Sequence, residues 1–191
     1  MSVIFIFSQI TLWLLVIVLS ISVIVLYKRP YPSHQDYLSN QTLGASDEGL
    51  PTGELFPKLS FPLIDGQNID LQTMDKQGTV IFFTSTYCDI CEKIYRVIKP
   101  IMDKHPEYEF LALMEGSIEE INTKKDKFQL SLPIYQLVEE DFEKLQVDFF
   151  PFAYFISSDG NITGKGLINN EHDINMLIQL GIQKNQESFI A

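Results

Sequence analysis

The sequence predicts an α/β domain, with a mixed β-sheet flanked by helices, joined to one N-terminal transmembrane helix. Two observations predict the domain. Apolar runs of β-favouring residues alternate with amphipathic helical patterns. About 140 of the 191 residues follow a polar linker, enough for one compact domain with its own core. A third observation predicts the membrane helix, because the first 27 residues carry no charged side chain.

The N-terminal apolar segment is long enough to span a membrane. Residues 3–26 are almost all Val, Ile, Leu and Phe, with Trp13 in the middle. As a helix they would extend roughly 36 Å, and a hydrocarbon core is about 30 Å thick. A cleaved signal peptide would have a basic start, a shorter apolar core and a small-residue cleavage site, none of which is present. We therefore expect residues 1–27 to be an uncleaved, single-pass membrane anchor.

A polar linker and an acidic domain follow. Residues 28–50 are rich in Pro, Ser, Asn, Gln and Gly without periodicity, which predicts a flexible linker. From residue 30 onward the chain has 25 Asp and Glu against 12 Lys and Arg, a net charge of −13. Such a surface repels nucleic acid and anionic lipid headgroups, so we expect no nucleic-acid partner.

The first elements of the domain, residues 51–191, are a hairpin and a buried strand. Residues 61–64 and 68–71 flank an Asp-Gly turn, which favours a β-hairpin. The continuous apolar run at 79–84 predicts a central strand that is buried on both faces.

Three helices and a strand follow. Apolar residues spaced three and four apart predict a helix over 91–105, and 109–114 is a second buried strand. Ser117 begins another helix, because Glu120 three residues later completes a capping box. A short helix is expected over 141–146.

The chain ends with a hairpin and a helix. Strands over 152–156 and 162–166 flank the turn Asp-Gly-Asn, and a helix follows over 171–181. The order of elements implies a mixed sheet with helices on both faces.

Both cysteines of the chain lie in the segment T-S-T-Y-C-D-I-C, at the junction between strand and helix. Cys88 would face the unpaired N–H groups and the positive end of the helix, which stabilise a thiolate. Cys91, one turn further, could attack a mixed disulfide formed by Cys88. The spacing therefore favours a redox pair, a nucleophile followed by a resolving thiol.

Other interpretations of the pair are weaker. A zinc site needs about four ligands, and the sequence has no second cysteine pair and only scattered histidines. A structural disulfide over so short a loop would stabilise little, and two inert core thiols are the remaining alternative. The peroxiredoxin pattern P-x-x-x-T-x-x-C is not matched, because Ile81 and Ser85 replace its proline and threonine. We predict no metal and no other cofactor.

The chain resembles the thioredoxin superfamily. The strand running into C-D-I-C, the pair Phe150-Pro151 before a strand and the Asp-Gly-Asn hairpin carry this resemblance. Within the superfamily it resembles the membrane-anchored, TlpA-like branch, and most of all the MauD family of methylamine utilisation. The segments L-P-T-G-E-L-F-P at 50–57 and K-G-L-I-N-N-E-H at 165–172 carry that similarity.

The resemblance implies the roles of the site residues. Cys88 and Cys91 would be catalytic, and Pro151 would be a cis-proline facing them. The other residues implied to line the site and hold the partner are Tyr87, Asp89, Ile90 and Phe150. Many relatives have proline between the cysteines. Here Asp89 and Ile90 stand between them, and the carboxylate of Asp89 should repel the Cys88 thiolate. This repulsion should raise the pKa of Cys88 and make the pair more reducing. Phe82 stands where thioredoxin keeps a buried acid.

The resemblance also bears on partners and topology. MauD-like proteins are implicated in maturing the disulfide-rich small subunit of methylamine dehydrogenase. The expected partners are therefore an exported cysteine-containing client and a membrane thiol relay as electron donor or acceptor. Such a domain belongs outside the cytoplasmic membrane, where disulfides persist, although Lys28 and Arg29 after the anchor favour a cytoplasmic domain. The alternative function is a non-catalytic assembly factor that binds one client, but a pure binder need not retain both cysteines.

Overall fold

The computed structural model describes residues 8–9, 12–21, 48–71 and 75–188. The chain divides into two compact units, Met1–Leu38 and Ser39–Ala191. In the first unit, residues 12–21 are helical. In the described part of the chain, no helix is both long enough and apolar enough to cross a membrane. The predicted anchor extends beyond these helical residues on both sides, and residues 28–47 of the predicted linker lie outside the described residues.

A five-stranded mixed sheet forms the centre of the second unit, in the order β5-β4-β3-β6-β7. Its strands are β3 (Gly78–Ser85), β4 (Glu109–Glu115), β5 (Ile134–Gln136), β6 (Phe152–Ser157) and β7 (Ile162–Leu167). The first three run parallel to one another, whereas β6 is antiparallel to both β3 and β7. The predicted mixed sheet is confirmed.

The remaining elements surround this sheet. A separate antiparallel hairpin pairs β1 (Ser60–Pro62) with β2 (Asn68–Asp70) around the predicted Asp-Gly turn. The helices are α1 (Asp89–Lys104), α2 (Ile118–Phe128), α3 (Glu139–Leu145) and α4 (Glu171–Ser188). The predicted capping box begins α2, because Ser117 and Glu120 exchange hydrogen bonds as expected.

Strand β3 separates two hydrophobic cores, because successive side chains point to opposite faces. All eight of its residues are buried. Val80 and Phe82 pack with residues of α1, α2 and α4, whereas Ile81 and Phe83 pack with the hairpin, α3 and the segment at Phe56. Burial on both faces explains why the sequence of β3 is a continuous apolar run rather than an alternating one.

The structure departs from the predicted elements at β5 and at the bounds of three helices. Helix α1 begins at Asp89, two residues before the predicted start, because Cys88 is its N-cap. Strand β5 was not predicted, because three residues are too few for a periodic pattern. Helix α3 begins at Glu139, two residues early, because the Asp141 carboxylate accepts a hydrogen bond from the Val138 N–H. Helix α4 continues beyond Gly181 to Ser188.

Candidate active site

Cys88 lies between the end of strand β3 and the beginning of helix α1, as the sequence predicts. The connecting turn is held at both ends by backbone hydrogen bonds. The Thr86 N–H donates to the Glu115 carbonyl at 2.9 Å, and the Cys88 N–H donates to the Ser85 carbonyl at 3.3 Å. Cys88 is the N-cap residue of α1, with extended backbone angles of φ −99° and ψ 111°. Its sulfur therefore lies at the positive end of the helix dipole.

Cys88 and Cys91 form a disulfide, with their Cα atoms 5.3 Å apart. The Cys88 Sγ also accepts a hydrogen bond from the Cys91 N–H at 3.1 Å. Cys91, in the first turn of α1, is completely buried in the hydrophobic core, whereas Cys88 is partly buried at the edge of that core. Of the two sulfurs, that of Cys88 is the more accessible to another molecule.

Asp89 and Ile90 complete the first turn of α1 between the cysteines. Both side chains are exposed, and Ile90 is 44% exposed. The predicted loop residues therefore surround the disulfide with one carboxylate and one apolar side chain, both directed to solvent.

Tyr87 connects the disulfide loop to the beginning of helix α2. Its side chain is 70% exposed, but its hydroxyl donates to Glu120 Oε2 at 2.8 Å. The same carboxylate accepts hydrogen bonds from the Ser117 N–H at 2.9 Å and the Ser117 hydroxyl at 2.8 Å. The hydrogen bonds from Ser117 and Tyr87 hold the pKa of Glu120 below its usual value. The hydrogen bond to Glu120 also raises the pKa of Tyr87, because it stabilises the protonated phenol. The sequence predicts Glu120 only as a helix cap, since its contact with Tyr87 depends on tertiary packing.

A second link joins α1 to α2 close to the disulfide. Glu92 Oε1 accepts from Lys124 Nζ at 2.6 Å and from Lys127 Nζ at 3.0 Å. These two ammonium groups lower the pKa of Glu92 to about 2. The first turn of α1 is thus tied to the last turns of α2, while Tyr87 is tied to the first turn of α2.

The Phe150–Pro151 peptide bond is cis, as the resemblance to thioredoxin implied. In the β3–β6 register, Phe83 pairs with Phe152. Pro151 directly precedes Phe152, so it lies close to the end of β3 that leads to Cys88. The Pro151 carbonyl accepts from the Ile168 N–H at 3.1 Å, which fixes this segment to the end of β7.

Phe150 lies between the two cores. It packs against both hydrophobic clusters, including the one that holds Cys91 and against which Cys88 packs. Its ring also meets Phe142 of α3 edge-on, with the ring centroids 6.0 Å apart. Phe149, which the sequence did not single out, is 55% exposed.

The described residues include two buried carboxylates, and both have partners away from the disulfide. Phe82, which the resemblance places where thioredoxin keeps a buried acid, is completely buried and stacked on Phe110, with the ring centroids 6.2 Å apart. Among the described residues only Asp141 and Asp173 are buried carboxylates. Asp141 is paired with Lys58, and Asp173 accepts from the Asn169 N–H at the beginning of α4, so both have other partners.

The described residues contain no group of three or more His, Cys, Asp or Glu side chains arranged to hold a metal ion. Cys88 and Cys91 are bonded to each other. His105 contacts Glu107 and Asn175, at the far end of α1 from the disulfide.

Sequence comparison identifies MauD proteins as relatives along most of the chain. The methylamine utilization protein MauD of Paracoccus denitrificans is 25% identical over 176 residues, which cover 90% of this chain and 86% of that protein. The MauD protein of Methylorubrum extorquens is 24% identical over 176 residues, covering 90% and 84%. No family model matches the sequence.

Solved structures share the fold. A thioredoxin-like protein from Aeropyrum pernix matches with a TM-score of 0.56 and 14% identity, covering 63% of this chain and 87% of its own. The thioredoxin domain of a thiol-disulfide oxidoreductase from Bacteroides vulgatus matches with a TM-score of 0.59 and 16% identity, covering 68% and 96%. The chain thus carries a Cys88–Cys91 pair on a thioredoxin-like fold and is a homologue of the MauD proteins.

Proposed function

We propose that the protein is a membrane-tethered thiol–disulfide oxidoreductase that acts on cysteines of exported proteins. One observation carries the proposal. Cys88 and Cys91 form a disulfide at the N-terminus of α1, with one sulfur accessible and the other buried. A redox pair needs this asymmetry, because one thiol must reach the client while the other waits to release it.

The exchange proceeds in two displacements. In the reducing direction, the Cys88 thiolate attacks a client disulfide, an S–S bond forms between Cys88 and the client, and the first client sulfur leaves as a thiolate. The Cys91 thiolate then attacks the Cys88 sulfur, and the second client sulfur leaves. The client gains two electrons and the pair closes into its disulfide. A dithiol donor, expected to be a membrane thiol relay, restores the pair, and the same steps in reverse oxidise a client.

The residues around the disulfide influence this reaction through their charge and through contact with the client. The N-terminus of α1 stabilises the thiolate of Cys88, while the charge of Asp89 destabilises it and makes the pair a stronger reductant. Tyr87 and Ile90 lie beside the accessible sulfur, and Phe150 with Pro151 would hold the client backbone alongside it. The bonds from Tyr87 to α2 and from Pro151 to β7 support these roles, because they fix both sides of the site.

Exchange of the pair is the first prediction. Full-length protein in detergent micelles should convert completely between dithiol and disulfide when moved between dithiothreitol and oxidised glutathione. Mass spectrometry should record a change of about two hydrogens per chain, because the exchange converts two thiols into one disulfide. A pair that stays reduced in oxidised glutathione, or that cannot be reopened by dithiothreitol, would contradict the oxidoreductase proposal. An inert pair with client binding retained would favour the assembly-factor alternative.

Anchoring and orientation give the second prediction. We propose that residues 3–26 anchor the chain and that the domain lies on the outer side, where disulfides persist. Protease added to spheroplasts should degrade the domain while a cytoplasmic marker protein remains intact. Permeabilised spheroplasts serve as the control, since there both proteins should be degraded. A domain that is protected until permeabilisation would favour the orientation predicted by Lys28 and Arg29.

A further inference from the structure

Exposed apolar side chains are concentrated around the disulfide. Beyond residue 47, the described part of the chain has six large apolar side chains that are more than 40% exposed. Five of them lie in loops or first helical turns at one edge of the sheet, and we call this set the apolar rim: Tyr87, Ile90, Ile118, Val138 and Phe149. The sixth, Leu55, lies at the opposite edge, where it bridges to Asn161 in the β6–β7 turn.

The rim is one surface because of the strand directions. Strands β3, β4 and β5 are parallel, so the segments that follow them share an edge, and antiparallel β6 begins at that same edge. Side-chain contacts join neighbouring segments. Tyr87 bonds to Glu120 of α2, Gln136 Nε2 donates to the Gly116 carbonyl at 2.8 Å, and Phe142 of α3 contacts Phe150.

The same segments carry exposed carboxylates without compensating cations. Besides Asp89, four exposed acids lie among the rim residues, and no described cation pairs with any of them: Glu119, Glu139, Glu140 and Asp148. The segments 86–90, 115–120, 137–141 and 146–151 contain no Lys or Arg. Glu92, one turn into α1, differs from these acids because it forms ion pairs with two lysines of α2. A molecule that approaches Cys88 therefore meets exposed apolar side chains and a negative electrostatic potential.

We propose that the rim docks a client segment in which the reacting cysteine is flanked by Lys or Arg and an apolar residue. The inference rests on the proposed function, because only an exchange reaction brings another cysteine to Cys88. Apolar contact with exposed side chains such as Phe149 and Ile118 would hold the segment. The unpaired carboxylates would steer it and repel acidic segments, since complementary charge mainly sets specificity and association rate.

The test uses full-length Cys91→Ser protein in detergent micelles with symmetric disulfide dimers of three short peptides. Each peptide has one cysteine and one neighbouring leucine, flanked by arginines, glutamines or glutamates. The Cys88 thiolate attacks a dimer, bonds to one peptide and releases the other as a thiolate, with no net oxidation. Each rate is divided by that of the same dimer with 2-mercaptoethanol, which removes differences in peptide reactivity. We expect the arginine peptide to react about 10-fold faster than the glutamine peptide at low salt, and the glutamate peptide to react more slowly than both.

Matched variants locate the effect. The quadruple variant Glu119→Gln, Glu139→Gln, Glu140→Gln and Asp148→Asn should lose most of the arginine preference. A control with the same change in net charge neutralises four exposed acids elsewhere, Glu54, Asp75, Asp103 and Asp126, and should keep it. Phe149→Ser should slow all three peptides, whereas Leu55→Ser, at the opposite edge, should slow none. High salt should reduce the charge preference but not the effect of Phe149→Ser.

The outcomes separate this inference from the proposed function. Equal normalised rates for the three peptides, or equal losses in the rim and control quadruple variants, would overturn the docking surface. If wild-type protein nevertheless exchanges reversibly with glutathione, the oxidoreductase proposal stands without it. A wild-type pair that does not exchange with glutathione would overturn the proposed function, and this inference with it.

Discussion

Full-length Cys91→Ser protein should accumulate a mixed disulfide with its client in cells, whereas Cys88→Ser should accumulate none. Cys88 caps α1 and is only partly buried, while Cys91 is completely buried, so a client reaches Cys88 more easily. Without Cys91 the mixed disulfide has no internal thiol to resolve it and persists. Without Cys88 the buried thiol is too deep to begin the exchange, and desolvation disfavours its thiolate. Turnover should be lost in both variants, but non-reducing gels should show the adduct in only one.

The controls address folding and accessibility. Serine places a hydroxyl where Cys91 is buried, so Cys91→Ala, which adds no polar group, should trap the same adduct. Urea unfolding of each reduced variant should show that the domain remains folded. In reduced wild type, alkylation should modify Cys88 first. Equal adducts from the two serine variants would show that the roles of attacking and resolving thiol are assigned wrongly.

The sequence predicted the elements that have a long local signal. The run at β3 is apolar at every position because the strand is buried on both faces, and its length identifies it. The two Asp-Gly turns and the capping box at Ser117 also depend only on residues close together in the sequence, and the structure confirms them. The cysteine pair could be placed at the beginning of α1 because strand, cysteines and helix are adjacent in the sequence.

Contacts between distant segments could not be predicted in this way. Strand β5 has only three residues, and its place at the sheet edge depends on pairing with β4. The bond from Tyr87 to Glu120 joins residues 33 positions apart. The exposure of Phe149 depends on how α3 leads into β6. Likewise, Lys58 and Asp141 show no common pattern in the sequence, yet they form a buried ion pair.

The second large effect is expected on stability, from the variant Lys58→Met. Lys58 Nζ lies 2.6 Å from Asp141 Oδ1, and the Tyr135 hydroxyl donates to Asp141 Oδ2 at 2.6 Å. The Asp141 side chain is only 4% exposed. Methionine keeps most of the apolar stem of lysine but removes the ammonium group, which lies 5.5 Å from the centroid of the Phe61 ring. The free energy of unfolding at pH 7 should fall by about 3 kcal/mol, because a buried carboxylate loses the one ion-pair partner that it has among the described residues. Urea denaturation of the reduced and oxidised protein measures this loss.

The pH dependence of that loss distinguishes a buried charge from lost packing. In wild type, burial raises the pKa of Asp141, but hydrogen bonds from Lys58 and Tyr135 outweigh it and leave the pKa below its ordinary value. The pair therefore contributes stability at neutral pH that is lost as the pH falls through this lowered pKa. In Lys58→Met, burial should dominate and raise the pKa, so protonation on acidification relieves the buried charge. The difference between the two proteins should consequently shrink as the pH falls from 7 toward 4.

Two further variants distinguish the loss of the buried ion pair from the loss of a lysine side chain as such. Lys104→Met removes the exposed pair with Glu171 and should cost less than about 0.5 kcal/mol. Adding Asp141→Asn to Lys58→Met should recover more than half of the loss, because the amide can still accept from Tyr135 without carrying a charge. A loss that does not vary with pH, or that the second substitution leaves unchanged, would mean that Lys58 acts through packing. Because Phe142 of α3 contacts Phe150 beside the cis-proline, an intact ion pair would also help hold the proposed client-binding segment in place.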